Sequence, residues 1–141
     1  METVTVTRTI AAAPSAVRDA ITDLEPFMRA AGFDEVAVEG DLIHLTNRVG
    51  IAEIELTVER VDAPDAVLAY EQREGIFASM RTDYRVEEVD ADGEQGTRIE
   101  ATTDFELDVA LVGDLLDATV IRRQRRKELD AQFDYLESVT E

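Results

Sequence analysis

The chain has no cysteine, a single histidine and a single lysine among its 141 residues. Without cysteine there is no disulfide framework, no iron–sulfur cluster, no thiolate zinc site and no cysteine nucleophile. One histidine excludes a His-rich metal site. No apolar run approaches the roughly 18 residues that a membrane-spanning helix needs. The opening METVTVTRTI alternates, and so lacks the basic end and apolar centre of a secretory leader. The expectation is a soluble, cytoplasmic protein.

What is abundant is negative charge. Against 14 basic residues stand 32 acidic ones, for a formal net charge of −18 and a pI near 4.2. Even so, 45% of the residues are hydrophobic, which separates the chain from disordered acidic tails. Its length suits one domain over residues 1–141, burying about 70% of the surface that the unfolded chain exposes. The cations are 13 arginines and Lys127, and the acids divide almost evenly between Asp and Glu. This lysine-poor, carboxylate-rich composition resembles that of proteins from organisms with molar salt in the cytoplasm. There the Debye length falls to about 3 Å, so surface carboxylates barely repel one another. A halophilic protein is expected.

Residues 3–10 place Val4, Val6, Arg8 and Ile10 on one face and threonines on the other, a period of two that predicts a strand. Pro14 opens a short helix carrying Val17, Ala20 and Ile21, and a second short helical stretch, Phe27 to Ala31, ends at Gly32. From Asp34 to Leu107 every segment alternates apolar with polar. Turn residues interrupt at Gly40, Gly50, Pro64, Gly75 and Asp92-Gly93. Six antiparallel strands are predicted there, each with one buried and one wet face. From about residue 111 to 139 the stripe Leu111, Leu115, Ala118, Arg122, Leu129, Phe133 and Leu136 predicts a long amphipathic helix. The fold class is α+β: a curved antiparallel sheet packed on its C-terminal helix.

This element order, with the opening VTVTRTIAAAPSAVRDAITDLE, resembles the SRPBCC superfamily, the START-like or helix-grip group. Its members often begin with an alternating strand, an Ala-Pro, and a helix with Val and Asp spaced as Val17 and Asp23 are here. The resemblance is to the subgroup described as polyketide cyclase, dehydrase and lipid-transport proteins. It implies a helix-grip fold: a seven-stranded sheet wrapped around the last helix, two short helices after strand one, and an apolar cavity for a small hydrophobic ligand. The group also includes sensors, ring-oxygenase domains and chaperone-associated domains, so the fold does not choose a function. The ring-oxygenase branch needs two histidines and a carboxylate for iron, and His44 stands alone.

Strand parity places Arg8, Tyr70, Gln72, Thr82, Tyr84 and Thr103 on the inner face together with Met80 and Phe105. A mostly apolar wall with a few polar groups suits a ligand; the alternative is that the polar tips reach water at the open end of the sheet. Phe27 on the short helices and Leu115 on the last helix complete the expected lining. The run Arg122-Arg123-Gln124-Arg125-Arg126-Lys127 sets Arg122 near the centre of the helical stripe, with Arg125 and Arg126 at its edges. A desolvated guanidinium needs acceptors. The stems could snorkel past the sheet edge, the heads could pair with sheet carboxylates, or one of the three could anchor a ligand carboxylate or phosphate.

Other chemistry is poorly supported. The serines are Ser15, Ser79 and Ser138, with Ser79 facing outward and His44 toward solvent, so no Ser-His-Asp arrangement is expected. The net charge repels phosphate, which argues against nucleic acid. Gly93-Glu94-Gln95-Gly96 lies in a hairpin among acids and is no phosphate cradle. The leading reading is binding or transport of a small hydrophobic or amphipathic ligand, without metal or nucleotide cofactor, by a monomer or homodimer. The alternatives are a metal-free cyclase or dehydrase, with Tyr70, Tyr84, Arg8 and Arg122 polarising a carbonyl, and a protein-interaction domain using the apolar face of residues 112–120. From the charge pattern, the melting temperature should climb between dilute buffer and multimolar KCl; calorimetry across that range checks it.

Overall fold

Alternating Val and Thr form β1 (Glu2–Ile10), whose valines are buried and whose threonines face out. The chain then turns through α1 (Pro14–Thr22) and α2 (Leu24–Arg29) before six strands follow: β2 (Glu35–Glu39), β3 (Leu42–Val49), β4 (Ala52–Arg60), β5 (Leu68–Glu74), β6 (Phe77–Ala91) and β7 (Glu94–Leu107). The last element is α3 (Ala118–Thr140). The computed structural model describes residues 1–108 and 117–141. All seven strands join one antiparallel sheet in the order β1-β7-β6-β5-β4-β3-β2; the alternation predicts the meander from β2 to β7, and β1 adds to it beside β7.

Turn chemistry sets the register. Asp92 (φ 54°) and Gly93 (φ 85°) form the two-residue link of the long β6–β7 hairpin, and both take the positive φ that a type I′ turn demands. Gly75, between β5 and β6, lies so close to Leu56 and Gln72 that a Cβ there would collide with both. Register shifts interrupt the β4–β5 ladder at Thr57/Val58 and the β6–β7 ladder at Phe77/Ser79. Such bulges add curvature, which lets a sheet cup a helix.

The concave face buries Val4, Val6, Ile43, Leu45, Val58, Leu68, Tyr84, Ile99 and Phe105 against α3 and the short helices. Val17, Ile21, Phe27 and Met28 are fully buried in this core. The Phe27 ring meets Tyr84 edge-on at 5.1 Å. On the convex face, charged side chains pair across strands, Arg81 with Glu71 and Arg73 with Glu59, and along β6, Arg81 with Asp83.

Asp117 caps α3 by accepting the Val120 N–H at 2.9 Å. The helix buries Ile121, Arg125, Glu128, Leu129, Gln132, Phe133 and Leu136. This corrects the helical stripe. The apolar pattern centred it on Arg122, but three of the buried positions are polar, and they rotate the buried face toward Arg125. Arg122 and Arg126 are exposed, and Arg122 pairs with Glu2 at 3.3 Å. The part of the helix expected before Ala118, with Leu111, Val112, Leu115 and Leu116, lies outside the described residues; Val120 is half-buried.

Arg8 is likewise not a cavity residue. Its Nη1 reaches Asp134 at 2.6 Å and Glu137 at 3.3 Å, its Nη2 reaches Asp130 at 3.7 Å, and its guanidinium lies 5.6 Å from the Phe133 ring centroid. Partial burial pulls its pKa down, but the Asp134 hydrogen bond and the three carboxylates prevail and hold it above the ordinary arginine value. The cluster ties β1 to the outer flank of α3. Arg8→Ala should lower stability by about 1 kcal/mol in dilute buffer and less in molar salt. Phe133→Ala, which empties a fully buried site, should cost about 3–5 kcal/mol in either. Denaturant titrations at two KCl concentrations separate the two.

Candidate functional site

Between α3 and the strands β3 to β7 the packing leaves a cavity of about 50 Å³. Its walls are mainly apolar: Phe33, Leu45, Val49, Ile54, Leu56, Phe77, Met80, Phe105 and Ile121. Its polar lining is Asn47, Tyr70, Thr103, Gln124, Arg125 and Glu128. Strand alternation aims Leu45, Asn47 and Val49 inward from β3, and one helical turn of α3 brings Gln124, Arg125 and Glu128 against them.

The polar side is built around Arg125. Its Nη1 donates to Glu128 Oε1 at 3.0 Å, its Nε to Thr103 Oγ1 at 2.9 Å, and its Nη2 to Tyr70 Oη at 2.6 Å and Thr82 Oγ1 at 3.3 Å. The other Glu128 oxygen accepts from Asn47 Nδ2 at 2.7 Å and Gln124 Nε2 at 3.2 Å. Behind the arginine, the Tyr84 hydroxyl donates to Gln132 Oε1 at 2.6 Å, and Gln132 Nε2 donates to the Phe27 carbonyl at 3.2 Å. Among the described residues no buried side-chain nitrogen or oxygen lacks a partner, as a low-dielectric interior requires.

Burial pulls the Arg125 pKa down, but the Tyr70 and Tyr84 oxygens and the Glu128 carboxylate outweigh it, so the group stays above the ordinary arginine value. The carboxylate paired with it is that of Glu128, at 3.0 Å. Burial also holds the Tyr84 phenol well above the ordinary tyrosine value; Tyr70 adds to this and Arg125 opposes it.

The expected site residues divide accordingly. Tyr70, Met80, Thr103 and Phe105 line the cavity. Thr82 and Tyr84 stand behind Arg125 and hold it. Gln72 instead closes the β5–β6 turn, donating to the Phe77 carbonyl at 2.9 Å and accepting the Phe77 N–H at 3.1 Å. Phe27 is in the core against Tyr84. Leu115 lies outside the described residues. Sequence reasoning missed Asn47, Gln124 and Glu128 as lining residues and ranked Arg125 behind Arg122. A signal existed for Asn47, which shares inner parity with Ile43 and Leu45. His44 is on the wet face, within 3.0 Å of Thr57 Oγ1.

A second crevice, of about 370 Å³, is lined by Asp41, Arg60, residues of the 61–67 loop and the start of β5, and its exposed walls are mostly polar. Among the described residues no cluster of His, Asp and Glu is placed to hold a metal ion, and no helix is long and apolar enough to cross a membrane.

A family model described as "Polyketide cyclase / dehydrase and lipid transport" matches residues 1–141. Among solved structures, a Thermus thermophilus protein superposes with a TM-score of 0.72 at 19% identity, covering 97% of this chain and 95% of that one. A START superfamily protein from Mycobacterium smegmatis gives 0.68 at 14% identity, with coverages of 96% and 94%. The ZhuI aromatase/cyclase from a Streptomyces species gives 0.72 at 23% identity, with coverages of 96% and 93%. No match was found among curated proteins.

The raised Tyr84 pKa has a defined sign. The native state holds its proton more tightly than the unfolded chain, so this stabilisation is complete below the unfolded value near 10 and is lost as pH rises above it. Denaturant midpoints measured from pH 8 to 11 should show wild-type stability falling by about 1 kcal/mol per pH unit more than that of Tyr84→Phe at the alkaline end. At neutral pH Tyr84→Phe should be weaker by about 1–3 kcal/mol, because Gln132 loses its donor.

Proposed function

The chain belongs to the polyketide cyclase/dehydrase and lipid-transport family, and on that premise we propose that it binds a small hydrophobic or amphipathic molecule between β3–β7 and α3. The observation that carries this reading is the cavity itself: a mostly apolar hollow with a compact polar group on one side, the composition of small-molecule sites. At about 50 Å³ the hollow is smaller than the roughly 300 Å³ at which ligand-sized pockets begin. Entry therefore requires the sheet to spread from the helix. The β2–β4 side favours this, because among the described residues its only hydrogen bond to α3 is the one from Asn47 to Glu128.

A second reading is catalysis of the cyclase or dehydrase kind. It rests on the Tyr70 hydroxyl, which lines the cavity 2.6 Å from the Arg125 guanidinium and would serve there as a donor to a carbonyl that gains negative charge. The ZhuI neighbour, an aromatase/cyclase, is consistent with it. The two readings differ in one variant: Tyr70→Phe abolishes turnover under the second and merely weakens binding under the first.

The proposed setting is a cytoplasm at molar salt, supported by the 32 carboxylates and the single lysine. The proposed unit is a single domain over residues 1–141, a monomer or homodimer that does not bind nucleic acid.

Val49→Phe places a ring in the cavity from the end of β3. With neutral aromatic and aliphatic compounds as probes, this variant should keep its melting temperature and lose binding by at least about tenfold relative to wild type. Native mass spectrometry of wild-type protein from its own cells should retain a small molecule that the variant lacks. Equal binding by both proteins counts against the pocket.

A further inference from the structure

The buried cation of the cavity is already neutralised, and this restricts the charge of whatever enters. Arg125 is the cationic residue among the described lining residues, and it holds Glu128 at 3.0 Å, three positions along the same helix. Its Nε donates to Thr103, and its Nη2 is turned to Tyr70, Thr82 and Tyr84. The second Glu128 oxygen is occupied by the amides of Asn47 and Gln124. The polar groups flanking this pair in the lining are therefore neutral: two amides, a phenol and a threonine hydroxyl.

A carboxylate entering this space would stand beside the Glu128 carboxylate with no second cation to balance it. It would have to take up a proton or displace Glu128 from Arg125, and either step opposes binding. A hydroxyl or carbonyl oxygen meets the Asn47, Gln124 or Tyr70 dipoles with no charge left over. Resting on the pocket reading above, we propose that the Arg125–Glu128 pair makes the cavity selective for neutral oxygenated ligands and closes it to carboxylates. The arginine that looks like an anion anchor acts instead as half of a neutral scaffold.

The test uses the full chain and two probes of matched shape, para-fluorobenzyl alcohol and para-fluorobenzoate, followed by fluorine NMR. It is run at about 2 M KCl, where the Debye length is so short that the overall negative charge no longer repels the benzoate. Wild type should bind the alcohol at least roughly tenfold more tightly than the benzoate, and Glu128→Gln, which leaves Arg125 without its counter-ion, should gain benzoate affinity by a comparable factor. Wild-type binding of benzoate as tight as that of the alcohol overturns the inference and leaves the pocket reading intact. That ratio needs no variant, so it decides the matter even if Glu128→Gln does not fold. An unchanged preference in a folded Glu128→Gln also overturns it. Absence of binding by both probes, or alcohol binding that survives Val49→Phe, removes the pocket reading itself.

Discussion

A guanidinium in the interior must be neutralised and given acceptors for its N–H groups, and meeting that demand organises the centre of this protein. Arg125 draws a carboxylate from its own helix, a phenol from β5 and threonine hydroxyls from β6 and β7. Glu128 then recruits Asn47 from β3, so a single ion pair fixes where four strands meet the helix. Buried pairs of this kind add little net stability compared with apolar packing, and losing one partner costs several kcal/mol.

The two faces of the sheet solve opposite electrostatic problems. Inside, one charge pair is closed off and balanced. Outside, Arg73, Arg81 and Arg85 sit in short pairs with Glu and Asp, some across strands and some along one strand. Individually such exposed pairs are worth little, so the fold rests on its core and tolerates a surface tuned to solvent. Arg8 lies between these regimes, half-buried over Phe133 with three carboxylates within 4 Å.

The strands were legible because each has one wet face and because Gly40, Gly50, Gly75 and Asp92-Gly93 punctuate them. Parity along β5, β6 and β7 also found Tyr70, Met80, Thr103 and Phe105. Parity tells which side of the sheet a residue faces, but not how far along the sheet the cavity extends. Hence Arg8, with correct parity, lies against the flank of α3, and Gln72 closes a turn. On α3 the apolar stripe misled, since Arg125, Glu128 and Gln132 are buried while the more central-looking Arg122 is exposed. A pattern drawn through hydrophobic residues cannot register a polar seam that is satisfied within itself. The spacing of Arg125 and Glu128, one helical turn apart, is its trace in the sequence.

That spacing also bears on how the molecule assembles. Because anion and cation lie on one turn of α3, their charges can cancel as soon as that turn is wound, before any strand is present. At the buried centre of the interface, the contacts left between α3 and the sheet are then those of hydroxyl and amide groups. Docking needs no cross-element ion pair at its centre, and a polar core of this design forms without a stage in which a lone charge waits in oil.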